Sequence, residues 1–204
     1  MNQQEYLSQI SNNVRPPKAP KASILSSPIF KIVLIAIVVI IGIAIFGAVI
    51  SGGKKSVKDL TVSLKLHIEG TSTEVKNFQP SIKNSGLRAN AASLYTVLSN
   101  FDSSINNYVV DKYSYKKGSE SKKSKSKAEK AQQTLHDELF EAKINGLLDY
   151  VFAHKMANEI SLIKSEMATI EKTASDKALK EILGSPYESL GNLYELFNNF
   201  SEAK

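Results

Sequence analysis

Residues Ile32 to Ile50 read IVLIAIVVIIGIAIFGAVI, nineteen positions without a charged side chain. As a helix this run spans roughly 28 Å, close to the hydrocarbon thickness of a bilayer. Lipid offers no partners for backbone N–H and C=O groups, and a single helix satisfies all of them internally. The run therefore predicts a transmembrane helix over residues 29–51 rather than a buried core helix. A cleaved signal peptide is the rival reading, with Val49 and Ser51 near a cleavage position. Signal peptides carry a shorter apolar stretch nearer the start, whereas 31 residues precede this one. An uncleaved anchor is expected. Gly42 and Gly47 lie five apart and make no GxxxG dimer face.

Orientation is nearly balanced by the flanking cations. Arg15, Lys18, Lys21 and Lys31 precede the run, and Lys54, Lys55, Lys58 and Lys65 follow it. The free amine and the exportability of a long C-terminal region favour the N-terminus inside and the C-terminus outside the cytoplasmic (inner) membrane. Residues 1–28 are polar, and Arg15-Pro16-Pro17-Lys18-Ala19-Pro20-Lys21 favours an extended chain. A disordered tail is expected there, with a proline-reading partner as the sharper alternative.

The region beyond the run is long enough for one core. Val57, Leu60, Leu64, Ile68, Thr71, Val75, Phe78 and Ile82 recur at steps of three and four. Thr61 to Glu69 also alternates as a strand would, but the helical template explains more residues. Pro80 is expected to kink or end this helix. After the turn signal Asn84-Ser85-Gly86, a second stripe runs through Leu87, Ala91, Leu94, Leu98, Phe101, Ile105 and Tyr108. Residues 116–130 are lysine-rich and predict a solvated loop or a fraying helix start. A third stripe from Leu135 to Ile170 suggests one helix of over 40 residues, with Gly146 as a soft point. Thr173 to Asp176 resembles a capping box, Gly184 a C-cap, and Ser185-Pro186-Tyr187-Glu188 a fresh helix start. The expected fold is all-α: one transmembrane helix, then an antiparallel bundle of four or five amphipathic helices. Residues 52–115 form its first helical pair, and residues 131–204 its second part.

The chain has no Cys, which excludes disulfides, thiolate metal sites and a Cys nucleophile. The positions three before His67, His136 and His154 hold Leu64, Gln133 and Val151, so the Glu-x-x-His pairing of di-iron bundles is missing. His136-Asp137-Glu138 is followed by Phe140 where a zinc HExxH motif needs His. No GxSxG motif and no phosphate-cradling glycine loop occurs in the sequence. Asn199-Phe200-Ser201 fits the glycosylation pattern, a match expected by chance at this length. Catalysis and cofactors are therefore not expected.

Two charged features remain. The formal charge is +6, with Lys116, Lys117, Lys122, Lys123, Lys125 and Lys127 concentrated in one segment. These lysines are the candidate polyanion contact. Glu138, Glu141 and Asp149 recur along one predicted helix face as a candidate acidic partner surface, or as carboxylates for a metal-dependent enzyme.

The run Ile82-Lys83-Asn84-Ser85-Gly86-Leu87-Arg88-Ala89-Asn90-Ala91-Ala92-Ser93-Leu94 follows the apolar segment and its proline-bearing tail. In this layout the chain resembles uncharacterised single-pass, membrane-anchored helical proteins of small-genome bacteria such as Saccharibacteria. The resemblance implies a bacterial source and an anchored helical domain, and brings no activity or site residues. The expected function is a binding or scaffolding module on the outer face of the membrane, touching the bilayer and another membrane or cell-surface protein. Alternatives are the metal enzyme, a sensing subunit of a membrane complex, and a cytoplasmic module that binds polyanions through its lysines.

Overall fold

A computed structural model describes residues 56–201. The expected transmembrane helix and N-terminal tail lie outside the described residues. Among the described residues no helix is long and apolar enough to cross a membrane.

Five α-helices and one short 3-10 turn account for the fold, and no strand occurs among the described residues. Helix α1 is Val57–Phe78, and the turn Gln79–Ser81 follows it. Helix α2 is Ser85–Tyr113, α3 is Lys122–Ile144, α4 is Leu148–Thr173 and α5 is Lys177–Asn198. Pro80 is the second residue of the 3-10 turn, and α1 ends just before that turn, as expected. Asn84 caps α2 by accepting the Leu87 N–H at 2.9 Å.

Sequential helices run antiparallel. Helices α1, α2, α5 and α4 pack in a ring, each against the next, and α3 lies outside on α1 and α4. The central core draws Leu64, Ile68 and Val75 from α1, Leu94, Leu98 and Ile105 from α2, Phe152, Met156 and Ile160 from α4, and Leu190 and Phe197 from α5. The Phe152 and Phe197 rings meet edge to face, 6.2 Å apart. Helix α3 contributes much less, burying Leu135, Leu139 and Ala142.

Three expected boundaries are corrected. The long third helix is two helices, because Gly146 adopts a left-handed φ of 71°. Leu147 N–H bonds the Ala142 carbonyl at 2.8 Å and Gly146 N–H bonds that of Lys143 at 3.2 Å, the double closure of a Schellman end. The chain thereby reverses and leaves Ile144 exposed. The lysine-rich segment is also divided, since α3 begins at Lys122 under a Ser121 cap and only residues 114–121 are non-helical. Within that connection Glu120 accepts from Tyr115 Oη at 3.0 Å and from the Gly118 N–H at 2.8 Å.

The third correction concerns α5. Thr173 ends α4, and its hydroxyl donates to the Thr169 carbonyl at 2.7 Å. Asp176 is the cap itself, accepting from the Ala178 and Leu179 N–H groups. The expected helix start at Ser185-Pro186 is absent, because α5 passes through it unbroken. Pro186 forfeits one helix hydrogen bond there, that of the Ile182 carbonyl. The buried stripe of Leu179, Leu183, Leu190, Leu193 and Phe197 holds both halves against the core and outweighs that loss. Pro186→Ala is accordingly expected to stabilise the bundle by about 1–2 kcal/mol, seen as a higher thermal midpoint. A lower midpoint would mean that the helix really restarts at Ser185.

Candidate functional site

Helix α1 touches α2, α3 and α4, so its polar side chains cannot all reach water. Thr61, Lys65, Ser72 and Glu74 are buried. Burying charge without a partner is costly, and the buried Lys65 and Glu74 of α1 each meet one. Facing α2, Lys65 Nζ lies 3.0 Å from Glu69 and 3.6 Å from Asp102. Lys117 reaches back from the connection to Glu69 at 2.7 Å. Burial alone would raise the Glu69 pKa, but the ammoniums of Lys117 and Lys65 hold it below the usual range. Burial dominates at Asp102 and pushes its carboxyl up.

Facing α4, His67 sits between two carboxylates. Its Nε2 donates to Glu159 Oε2 at 2.7 Å, and its Nδ1 donates to Glu166 Oε2 at 3.3 Å. Burial opposes charging the ring, yet the Glu166 field and the two hydrogen bonds push its pKa up to about 10. His67 is thus a structural cation. Facing α3, Glu74 accepts from Gln132 Nε2 at 3.1 Å and pairs with His136 Nδ1 at 2.8 Å. These residues, with Glu129 and Gln133, line a polar cavity of about 340 Å³. Both Glu74 oxygens are engaged by protein groups, and among the described residues no group of three acidic, His or Cys side chains is arranged to hold a metal ion. His154 is half-buried against the Tyr150 ring, and burial lowers its pKa.

The proposed acidic face is not assembled. Glu138 pairs across to the buried Lys155 on α4. Asp149 is buried and accepts the N–H groups of Lys83 at 2.9 Å and Asn84 at 2.6 Å. Only Glu141 is exposed. The cause is the helix break at Gly146, which removes Asp149 from the helix that carries Glu138 and Glu141. Placing the three carboxylates on one face assumed one continuous helix.

The lysines fare differently. Lys116, Lys117, Lys122, Lys123, Lys125 and Lys127 are all exposed. Lys117 is paired with Glu69, and Lys125 lies 3.9 Å from Glu129. At 3.6 residues per turn, Lys122, Lys123 and Lys130 fall on the arc opposite Leu135, Leu139 and Ala142, while Lys125 and Lys127 flank that buried stripe on either side. None of the residues 122–134 is buried. The first turn of α3 carries no acidic residue, so its cations oppose the positive end of the helix dipole. Further along the same outward arc stand Phe140 and Ile144, 51% and 70% exposed. Sequence reasoning placed Ile144 in the core stripe, which the chain reversal two residues later prevents. The spacing of Phe140 and Ile144, four apart and offset from Leu135 and Leu139, was the available signal.

No protein family, curated protein or solved structure matches the chain.

Proposed function

We propose that the chain is a single-pass, membrane-anchored helical binding or scaffolding module held on the outer face of the cytoplasmic membrane. The observation that carries this reading is the juxtaposition of a nineteen-residue charge-free run with a helical bundle that begins at Val57 and has its own core. The charged groups inside the bundle are engaged with one another across helix interfaces, an arrangement suited to holding a surface in shape. Glu138 and Asp149 are committed to Lys155 and to backbone N–H groups, which weakens the metal-enzyme alternative.

Two measurements test the reading. The full chain is expected to stay with membranes through an alkaline carbonate wash. In spheroplasts, added protease is expected to attack the region beyond Gly53 while the N-terminal tail stays protected. Release by carbonate would refute the anchor, and cleavage confined to the tail would invert the orientation.

A further inference from the structure

Helix α3 lies outside the ring of the other four helices, and its outward side carries an ordered line of residues. Ser126, Lys130, Gln133, Asp137, Phe140 and Ile144 follow one another at alternating steps of four and three, and all are exposed. At 3.6 residues per turn they stay within one arc about 80° wide, centred opposite Leu135, Leu139 and Ala142. Lys123 and Glu141 flank this arc on one and the same side.

The line is polarised. Lys123 and Lys130 occupy its N-terminal half, and Asp137 and Glu141 its C-terminal half beside the exposed Phe140 and Ile144. Among the described residues Lys123, Lys130 and Glu141 enter no ion pair. Asp137 accepts from Gln133 Nε2, a neighbour on the same line, at 2.7 Å. Asp137 and Glu141 stand four apart on the helix, so their charges repel. The cations at the start of α3 oppose the positive end of its dipole.

This pattern selects the occupant. A polyanion or an acidic surface would be repelled by Asp137 and Glu141, and a uniformly basic partner by the lysines. A second α3 running antiparallel offers the complementary charges in the complementary order. With a two-fold axis at Gln133, Lys130 comes opposite Asp137 of the second copy, and the flanking Lys123 approaches Glu141 of the second copy. The small Ser126 then faces Phe140 of the second copy and leaves room for its ring. Each helix start also lies beside the negative end of the other dipole. Parallel pairing would instead stack Lys130 on Lys130 and Asp137 on Asp137. One patch that complements itself about a two-fold axis is the pattern of a closed dimer.

We infer that the outward face of α3 is a self-association surface, on which two copies of the chain pair antiparallel about Gln133. The inference concerns the bundle alone and does not depend on the anchor proposed above. One helix pair buries less than the roughly 800 Å² per partner of a stable complex, so the contact is weak and is best trapped covalently. The chain has no cysteine, so a single introduced thiol reports on its own position. The full chain in detergent micelles is oxidised, and the disulfide-linked dimer is measured by non-reducing electrophoresis. Gln133→Cys is expected to cross-link at least about ten-fold more than Ser126→Cys, whose two copies the axis holds about 21 Å apart, beyond disulfide reach. Association through the apolar run would raise both thiols alike, so their ratio reads α3.

Charge reversal supplies the second arm, made at exposed positions of the Gln133→Cys chain. Lys123→Glu with Lys130→Glu is expected to lower the dimer about ten-fold, and Asp137→Lys with Glu141→Lys to lower it as much. Mixing the two reversed chains, one now acidic along the line and the other basic, is expected to restore it. Equal cross-linking at Ser126 and Gln133 would overturn the inference, as random collision predicts. More dimer at Ser126 than at Gln133 would overturn it in favour of parallel pairing. Loss on reversing the lysines but not the carboxylates would overturn it and reassign the lysines to a polyanion. Failure of the mixture to recover would show that the charges of the two copies do not meet.

Discussion

His67→Ala is expected to destabilise the bundle by about 2–4 kcal/mol at pH 7, read from urea unfolding of residues 54–204. The substitution removes the cation between Glu159 and Glu166 and leaves two partly buried carboxylates facing a cavity at the α1–α4 interface. His67→Gln retains donor capacity for one of them and is expected to lose about half as much. The effect carries a pH signature. The ring's pKa is about 10 in the folded chain, above an unfolded value of about 6.5. Its stabilisation is therefore complete below about pH 6.5 and is lost as pH rises through 10. The gap between parent and Ala variant should narrow steadily across that window. A gap that widened with pH would mean that the imidazole is held neutral and that the two carboxylates are not its partners.

That site was invisible in the sequence for a definable reason. Amphipathic reading assigns each helix one buried stripe and one wet face, which holds for α2. There Leu87, Ala91, Leu94, Leu98, Phe101 and Ile105 are all buried as their spacing predicts. Helix α1 is covered from three sides, so Lys65, His67 and Glu74 meet other helices instead of water. The same enclosure explains the strand-like alternation of Val62, Leu64, Leu66 and Ile68, because apolar residues are useful around most of the α1 circumference. A carboxylate partner for His67 lies more than ninety residues away, and no local pattern records it. Local signals did mark the turns. Pro80 and Asn84 punctuate the chain where their chemistry says they should. Ser185-Pro186 carries an equally good local signal and is overruled by the packing on either side of it.

Asp149→Ala is expected to cost about 2–3 kcal/mol, the range for removing a carboxylate that two N–H groups share at a partly buried chain reversal. Asp149 lies in the first turn of α4, where the helix dipole favours its charge. Its two oxygens grip the consecutive N–H groups of Lys83 and Asn84, and Asn84 in turn caps α2. One side chain thus fixes the α1–α2 corner to the α3–α4 corner across sixty-five residues of chain. Asp149→Asn retains a single acceptor oxygen, so a loss of about half that size is expected. Hydrogen exchange should localise the damage, with the first turn of α2 opening before α5 does. If both variants matched the parent in stability and in the protection of Leu87 and Arg88, Asp149 would be available to a partner, and the acidic face inferred from sequence would regain one of its members.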